Sequence, residues 1–277
     1  MSDVSITDIL SDGQFRTLRS GRIKACGGEL QVCKAVDARK LSLTVEADAR
    51  VQIVVLHTQP RECVMEINLC ENAVVEVVEI FLCNSLTNAQ VRQERGSRCR
   101  YTVVELGSAG ASYRAMLDGE GAEWNFDGVF AGTENDRCSV TLNTRHNVAD
   151  CKSESMVKGV VSGNAFGQFR GLVYVAPDAQ RTDARQQSRN IELSDDAHIA
   201  VSPQLEIYAD DVKCTHGATV GHSDEEALFY MRQRGIAEKE ARRLQIEGFV
   251  KDIVSKCPVA VVRESLEVEI DKKLMSL

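Results

Sequence analysis

Apolar and polar side chains alternate with a period of two along most of the chain. SLTVEADARVQIVVL (42–56), NAVVEVVEI (72–80), RCRYTVVEL (98–106) and EWNFDGVF (123–130) each place apolar residues on one side of an extended strand. From about Gly28 to Gly221 no helix-period stripe interrupts this pattern. The strands also recur: DARVQIV begins at 48, ENAVVEV at 71, SRCRYTV at 97 and GAEWNFD at 121. Later runs at 136, 164 and 196 share a turn followed by alternation, with a drifted spacing that insertions at turns would explain. A repeat of this length in a β-rich chain predicts a solenoid whose coils touch only their neighbours. A β-sandwich is the alternative, but four prolines, few aromatics and many small residues at turns suit tight stacked corners better.

The character changes at Ser223. SDEE reads as an N-cap at Ser223 with Glu226 as its capping-box partner, opening a helix through ALFYMRQRG that Gly235 closes. A second amphipathic stretch carries Leu244, Phe249, Val250, Ile253, Val254 and Cys257, and Pro258 ends it. Val262, Leu266, Ile270 and Leu274 then recur every fourth residue and permit a last helix. The expected organisation is a β core over 1–222 and a helical region over 223–277.

With 277 residues and 43% hydrophobic content, the chain can bury a sizeable core. A net charge of −8 with scattered Lys and Arg gives no basic field for nucleic acid or an anionic membrane. The N-terminal MSDVSITDILSDGQF has no apolar leader and the aliphatic runs are too short to span a bilayer, so a cytoplasmic location is expected. The ten cysteines lack both a secreted context and a C-x-x-C pair. They read as reduced thiols, mostly small buried hydrophobes on strand faces.

Candidate chemistry concentrates in YADDVKCTHGATVG (208–221). On a strand, Cys214 and His216 project from the same face. Such a thiol–imidazole pair could hold a soft metal such as iron, lower the thiol's pKa, or serve as nucleophile and base; equally, Cys214 could pack inward while His216 donates to a carbonyl at a corner. Asp210 and Asp211 are possible accessories that would raise local iron concentration, or merely blunt a sheet edge.

RNIELSDDAHIAVSPQLEIYADDVKCTHGATVG followed by ALFYMRQRGI resembles the C-terminal signature of the SufB/SufD family of iron–sulfur cluster assembly scaffolds. The likeness runs over about 155–257, with only β-repeat character upstream. It implies a right-handed parallel β-helix with a helical C-terminal region. SufB-type members carry a cysteine shortly before the S-P turn and a glutamate after the motif histidine, where this chain has Ala197 and Gly217, so the resemblance is to the SufD-like branch. Members usually have a helical N-terminal region before the β-helix, whereas strands begin here almost at once.

What the resemblance implies is a non-enzymatic scaffold subunit of a SUF assembly complex. It would pair through its β-helix with a SufB-like subunit or a second copy of itself. A SufC-like ABC-type ATPase would dock on the helices, with Leu244, Phe249 and Ile253 as the docking stripe, although the same stripe could instead seal the solenoid's end. No cofactor would be bound tightly; iron or an iron–sulfur cluster would reside transiently at a subunit interface, handled by His216 and Cys214. The competing readings are a Cys/His-dependent β-helix enzyme, for which no orienting third group stands out, and a purely structural β-helix. The chain has no G-x-x-x-x-G-K-[ST], G-x-G-x-x-G or G-x-S-x-G motif, hence no recognisable nucleotide site or serine nucleophile of its own.

Overall fold

The computed structural model describes residues 5–11, 15–24 and 29–275. Cys26 and Gly28 therefore lie outside the described residues. A short helix α1 (Ile6–Ser11) precedes the strands β1 (Arg16–Thr17), β2 (Gly21–Ile23), β3 (Leu30–Val36), β4 (Lys40–Val45), β5 (Arg50–His57), β6 (Glu62–Leu69), β7 (Val74–Phe81), β8 (Ser85–Gln93), β9 (Arg98–Glu105), β10 (Ala109–Leu117), β11 (Glu123–Gly132), β12 (Arg137–His146), β13 (Lys152–Val161), β14 (Phe166–Val175), β15 (Thr182–Glu192), β16 (His198–Ile207) and β17 (Val212–Gly221). Three helices follow: α2 (Glu225–Gln233), α3 (Glu238–Val254) and α4 (Ala260–Leu274).

Odd-numbered strands form one parallel sheet of nine and even-numbered strands another of eight, so the chain winds from sheet to sheet as a parallel β-solenoid of about seven turns. The expected solenoid is thus the observed fold, and α1 is an element that the alternation did not announce. The first four sequence repeats fall on β5, β7, β9 and β11 of the nine-stranded sheet. The later three belong to β12, β14 and β16 of the other sheet. The step from 121 to 136 is a change of sheet, whereas the wider spacing after it reflects coils that lengthen, with strands of 10 residues in β12, β14 and β16 and added residues at the turns.

The corners before β5 and β7 turn through Asp48 (φ +59°) and Asn72 (φ +57°), left-handed conformations that Asp and Asn tolerate. Asn72 also donates from its amide to Asp48 Oδ1 at 3.3 Å, so successive corners stack as the strands do.

Inward positions interdigitate between the sheets as the main core, from Leu41, Leu43 and Val45 to Tyr101, Tyr113, Trp124, Phe126, Phe130 and Phe169, all nearly unexposed. Each such side chain contributes about 1.5–3 kcal/mol by leaving water. The nine-stranded sheet is apolar on its outer face too: Val54, Leu56, Val78, Ile80, Val104, Val129 and Val160 form a second cluster with Ile6 and Leu10 of α1, Ile246, Val250, Ile253 and Val254 of α3, and Val262, Leu266, Ile270 and Leu274 of α4. Lysines pin this layer: Lys158 Nζ lies 2.7 Å from Asp252 and 3.0 Å from the Phe249 carbonyl, and Lys256 reaches Asp127 at 2.7 Å.

Several expectations about the tail are corrected here. The N-cap of α2 is Asp224, whose carboxylate accepts the amides of Glu226 and Ala227, and not Ser223. The helix ends as expected at Gly235 (φ +86°). The helices lie along the outer wall of the nine-stranded sheet and do not seal the solenoid's end. Nor do Leu244, Phe249 and Ile253 share an exposed stripe: Leu244 is exposed, Phe249 is half-buried beneath Lys158, and Ile253 is fully buried against the wall. No helix among the described residues is long and apolar enough to cross a membrane.

Candidate functional site

β16 and β17 are the last strands of their sheets, each paired on one side only. The coil they form is the open mouth of the solenoid. Ile207 and Val220, which point inward, and the neighbouring Tyr208 are exposed there. Pro203, with no backbone N–H to offer, sits in β16, where an edge strand tolerates it.

On β17 the alternation puts Val212, Cys214 and His216 on the interior side and Lys213 and Thr215 outside. Cys214 pairs in register with the buried Ala184 and packs against Val173, Val175 and Ala209, whereas His216 pairs with the buried Gln186 and is itself exposed because no further coil covers it. The shared face expected from the two-residue spacing is present, with Cys214 half-buried against the interior and His216 exposed at the mouth. Burial pushes the Cys214 thiol above the ordinary cysteine range, and Asp183 adds to the same direction. This is the opposite of an activated thiolate.

Asp210 and Asp211 stand elsewhere. They form the exposed corner before β17, where the Asp211 backbone bonds to Gln180 and Arg181. Asp211 lies five steps along the strand from His216, about 17 Å, and three from Cys214, about 10 Å. The structure does not bring the aspartates to the pair. Among the described residues no three His, Cys, Asp or Glu side chains gather to hold a metal ion. Ala197 is buried at the corner between β15 and β16. Gly217 faces open space, where a side chain would meet nothing within 4 Å.

The described cysteines are free thiols, and Cys33, Cys63, Cys99, Cys138 and Cys151 are core residues. Burial raises Cys63 to about 12 and Cys151 to about 11.

A further set of polar residues sits inside the solenoid, where only the register of the coils reveals them. In VVEVVEIF and RYTVVE, Glu79 and Glu105 occupy inward positions among apolar neighbours. Glu79 is fully buried and saturated: it takes hydrogen bonds from Thr87 (2.8 Å), Tyr101 (2.7 Å) and Tyr113 (2.9 Å) and pairs with His57 Nε2 at 2.8 Å. Glu105 is equally buried with no partner for either oxygen. In TDARQQSRN the inward positions Gln186, Ser188 and Asn190 give the last coils a polar interior.

With the mouth and its pair located, the comparison with known proteins is direct. Residues 31–249 match the SUF system FeS cluster assembly SufBD core domain, and the chain belongs to that family. The match takes in the upstream coils that carry no signature of their own. The chain is 37% identical over 138 residues to the iron–sulfur cluster assembly protein SufD of Escherichia coli, covering 50% of this chain and 33% of that protein. It is 36% identical over 116 residues to SufD of Bacillus subtilis (42% and 26%) and 33% identical over 185 residues to a SufBD family protein of Mycobacterium leprae (63% and 47%). The chain thus spans between a quarter and a half of these relatives, and its likeness is to the SufD-like branch.

Proposed function

We propose that this chain is a SufD-like, non-enzymatic scaffold subunit of a SUF complex that joins a SufB-like subunit, or a second copy of itself, through the open mouth of its solenoid. The observation that carries this reading is the bare last coil: two edge strands, an exposed apolar rim at Ile207, Tyr208 and Val220, and an exposed imidazole, His216, with the half-buried Cys214 two residues before it on the same face. Solenoid ends left uncovered demand a cap. The helices that might have supplied it are committed to the side wall.

Two ligands hold iron or a cluster weakly, since closed cluster sites use about four. The partner therefore supplies the remaining ligands, and iron or a cluster is cargo at the shared interface. Gly217 leaves space for a partner's side chain. A SufC-like ATPase docks on the tail, where the apolar side chains of Phe229 (62% exposed), Tyr230 (57%) and Leu244 (39%) are left uncovered by the wall. The raised thiol of Cys214 weighs against a nucleophilic enzyme.

The test is co-expression with SufB-like and SufC-like proteins, then iron and sulfide analysis of the purified complex. His216→Ala should leave the complex assembled and abolish cluster loading. Normal loading of that variant refutes the role of His216, and failure of the wild type to associate refutes the scaffold reading.

A further inference from the structure

Behind His216 lies Gln186. The two are register partners on β17 and β15, both on the interior side, where same-face neighbours of adjacent strands stand about 4.8 Å apart. Gln186 is 0% exposed, yet neither its Oε1 nor its Nε2 has a hydrogen-bond partner in the structure. Its amide fits a slot made by Gly171 of β14: a methyl group there would come within 2.3–2.6 Å of Gln186 Oε1, Cδ and Nε2. Ser155, next in the same interior column, is turned toward the carbonyl of Arg185 at 3.5 Å. An unpartnered buried amide is a liability that a leucine in the same slot would avoid. Only the His216 side of the column opens onto the mouth.

We propose that Gln186 is a positioning residue for His216. Its amide, turning about the soft terminal torsion, accepts the N–H of the imidazole nitrogen on the interior side. That bond fixes the tautomer and leaves the other nitrogen's lone pair facing the mouth, the arrangement a ring needs to act as an acceptor for a soft metal or a sulfur species. The proposal rests on reading His216 as the metal- or sulfur-handling residue, but the hydrogen bond itself is measurable without that reading.

The experiment is long-range 1H–15N spectroscopy of the full chain labelled at histidine, titrated with pH, for the wild type, Gln186→Leu, Gln186→Glu and His216→Ala, the last to assign the signals. The wild type should show His216 in one dominant tautomer. Gln186→Leu should give a mixture of tautomers with little change in thermal midpoint, because the single bond lost to His216 is offset by removing a buried, otherwise unsatisfied amide. Gln186→Glu should restore the single tautomer, since a carboxylate oxygen accepts the same imidazole N–H. A wild-type mixture, a tautomer ratio that Gln186→Leu leaves unaltered, or a Gln186→Glu variant that stays mixed overturns the proposal. Cluster loading of the assembled complex separates the two ideas. Loss in Gln186→Leu with recovery in Gln186→Glu supports both, whereas a changed tautomer with loading intact in every variant, His216→Ala included, keeps the positioning contact and overturns the metal or sulfur role.

Discussion

Replacing Glu105 with leucine should make the protein more stable, and the gain should depend on pH. Glu105 sits in an interior column between Phe81 and Phe130, 0% exposed, with both carboxylate oxygens unpartnered. The nearby Glu79 carboxylate offers no relief, because His57, Thr87, Tyr101 and Tyr113 already engage it. Burial, with the charge of Glu79 adding to it, holds the Glu105 carboxyl well above the usual carboxylate range. An unsatisfied buried group of this kind costs about 1–3 kcal/mol, which an apolar residue of similar volume removes. For a chain of this size each kcal/mol moves the thermal midpoint by about 2–4 °C, so Glu105→Leu should raise it by about 2–12 °C at neutral pH.

The pH dependence fixes the cause. The folded pKa of Glu105 lies above its unfolded value of about 4.3, so the unfolded chain releases this proton first as pH rises. Its contribution to folding is complete below the unfolded pKa and is lost as pH climbs toward the folded one. The advantage of Glu105→Leu should therefore be smallest near pH 4.5 and grow toward pH 8. Thermal melts of both proteins across that range are the assay. A destabilised variant, or a gain that does not change with pH, would show that the carboxyl has a partner and refute the reasoning.

His146, buried with its Nε2 2.8 Å from Ser153 Oγ, is held down to about 4 by burial. A base with a depressed folded pKa supports the fold above its unfolded pKa and loses that support as pH falls, so acidification from about 6.5 to 4 should cost on the order of 3 kcal/mol through this residue; denaturant titrations of His146→Leu should show a correspondingly flatter acid limb. On the tail, Phe229→Ala with Tyr230→Ala should weaken binding of a SufC-like ATPase in pull-downs with little change in melting. Phe249→Ala should instead destabilise by about 2–4 kcal/mol, because Phe249 packs under Lys158 on the side wall; equal loss of binding and unchanged stability for both variants would contradict this division.

The solenoid was legible because period-two alternation and corner residues recur where β5, β7, β9 and β11 begin. The same-face placement of Cys214 and His216 followed from the period alone. What could not be read was which surface the helices cover. Ile253 and Leu244 both look apolar in sequence, yet one is fully buried and the other exposed, because the outer row Val54, Val78, Val104, Val129 and Val160 accepts one side of α3 and not the other. Gln186 and Glu105 passed unnoticed for a different reason: a polar residue in an inward slot reads as noise in an alternating strand unless its neighbours in the adjacent coils are placed beside it, and that register comes only with the fold.

The placement of the helical layer also explains why the mouth stays bare. Strands such as VVEVVEIF are apolar on both faces, the pattern of a sheet covered on both sides, and α3 crosses the wall over β9, β11 and β13. In β15 and β17 the outer positions turn polar, to Arg185, Gln187 and Arg189 and then Lys213, Thr215 and Thr219. A helix laid there would bury charge without a matching apolar gain, so the layer stops short of the last coil. The interior of the last coil holds His216 among apolar positions, with Leu205 and Ile207 of β16 and Val212 and Val220 of β17 around it. A surface that closes this end must therefore cover an apolar rim and meet one imidazole, and the helical layer, held to the apolar side wall, does not reach it.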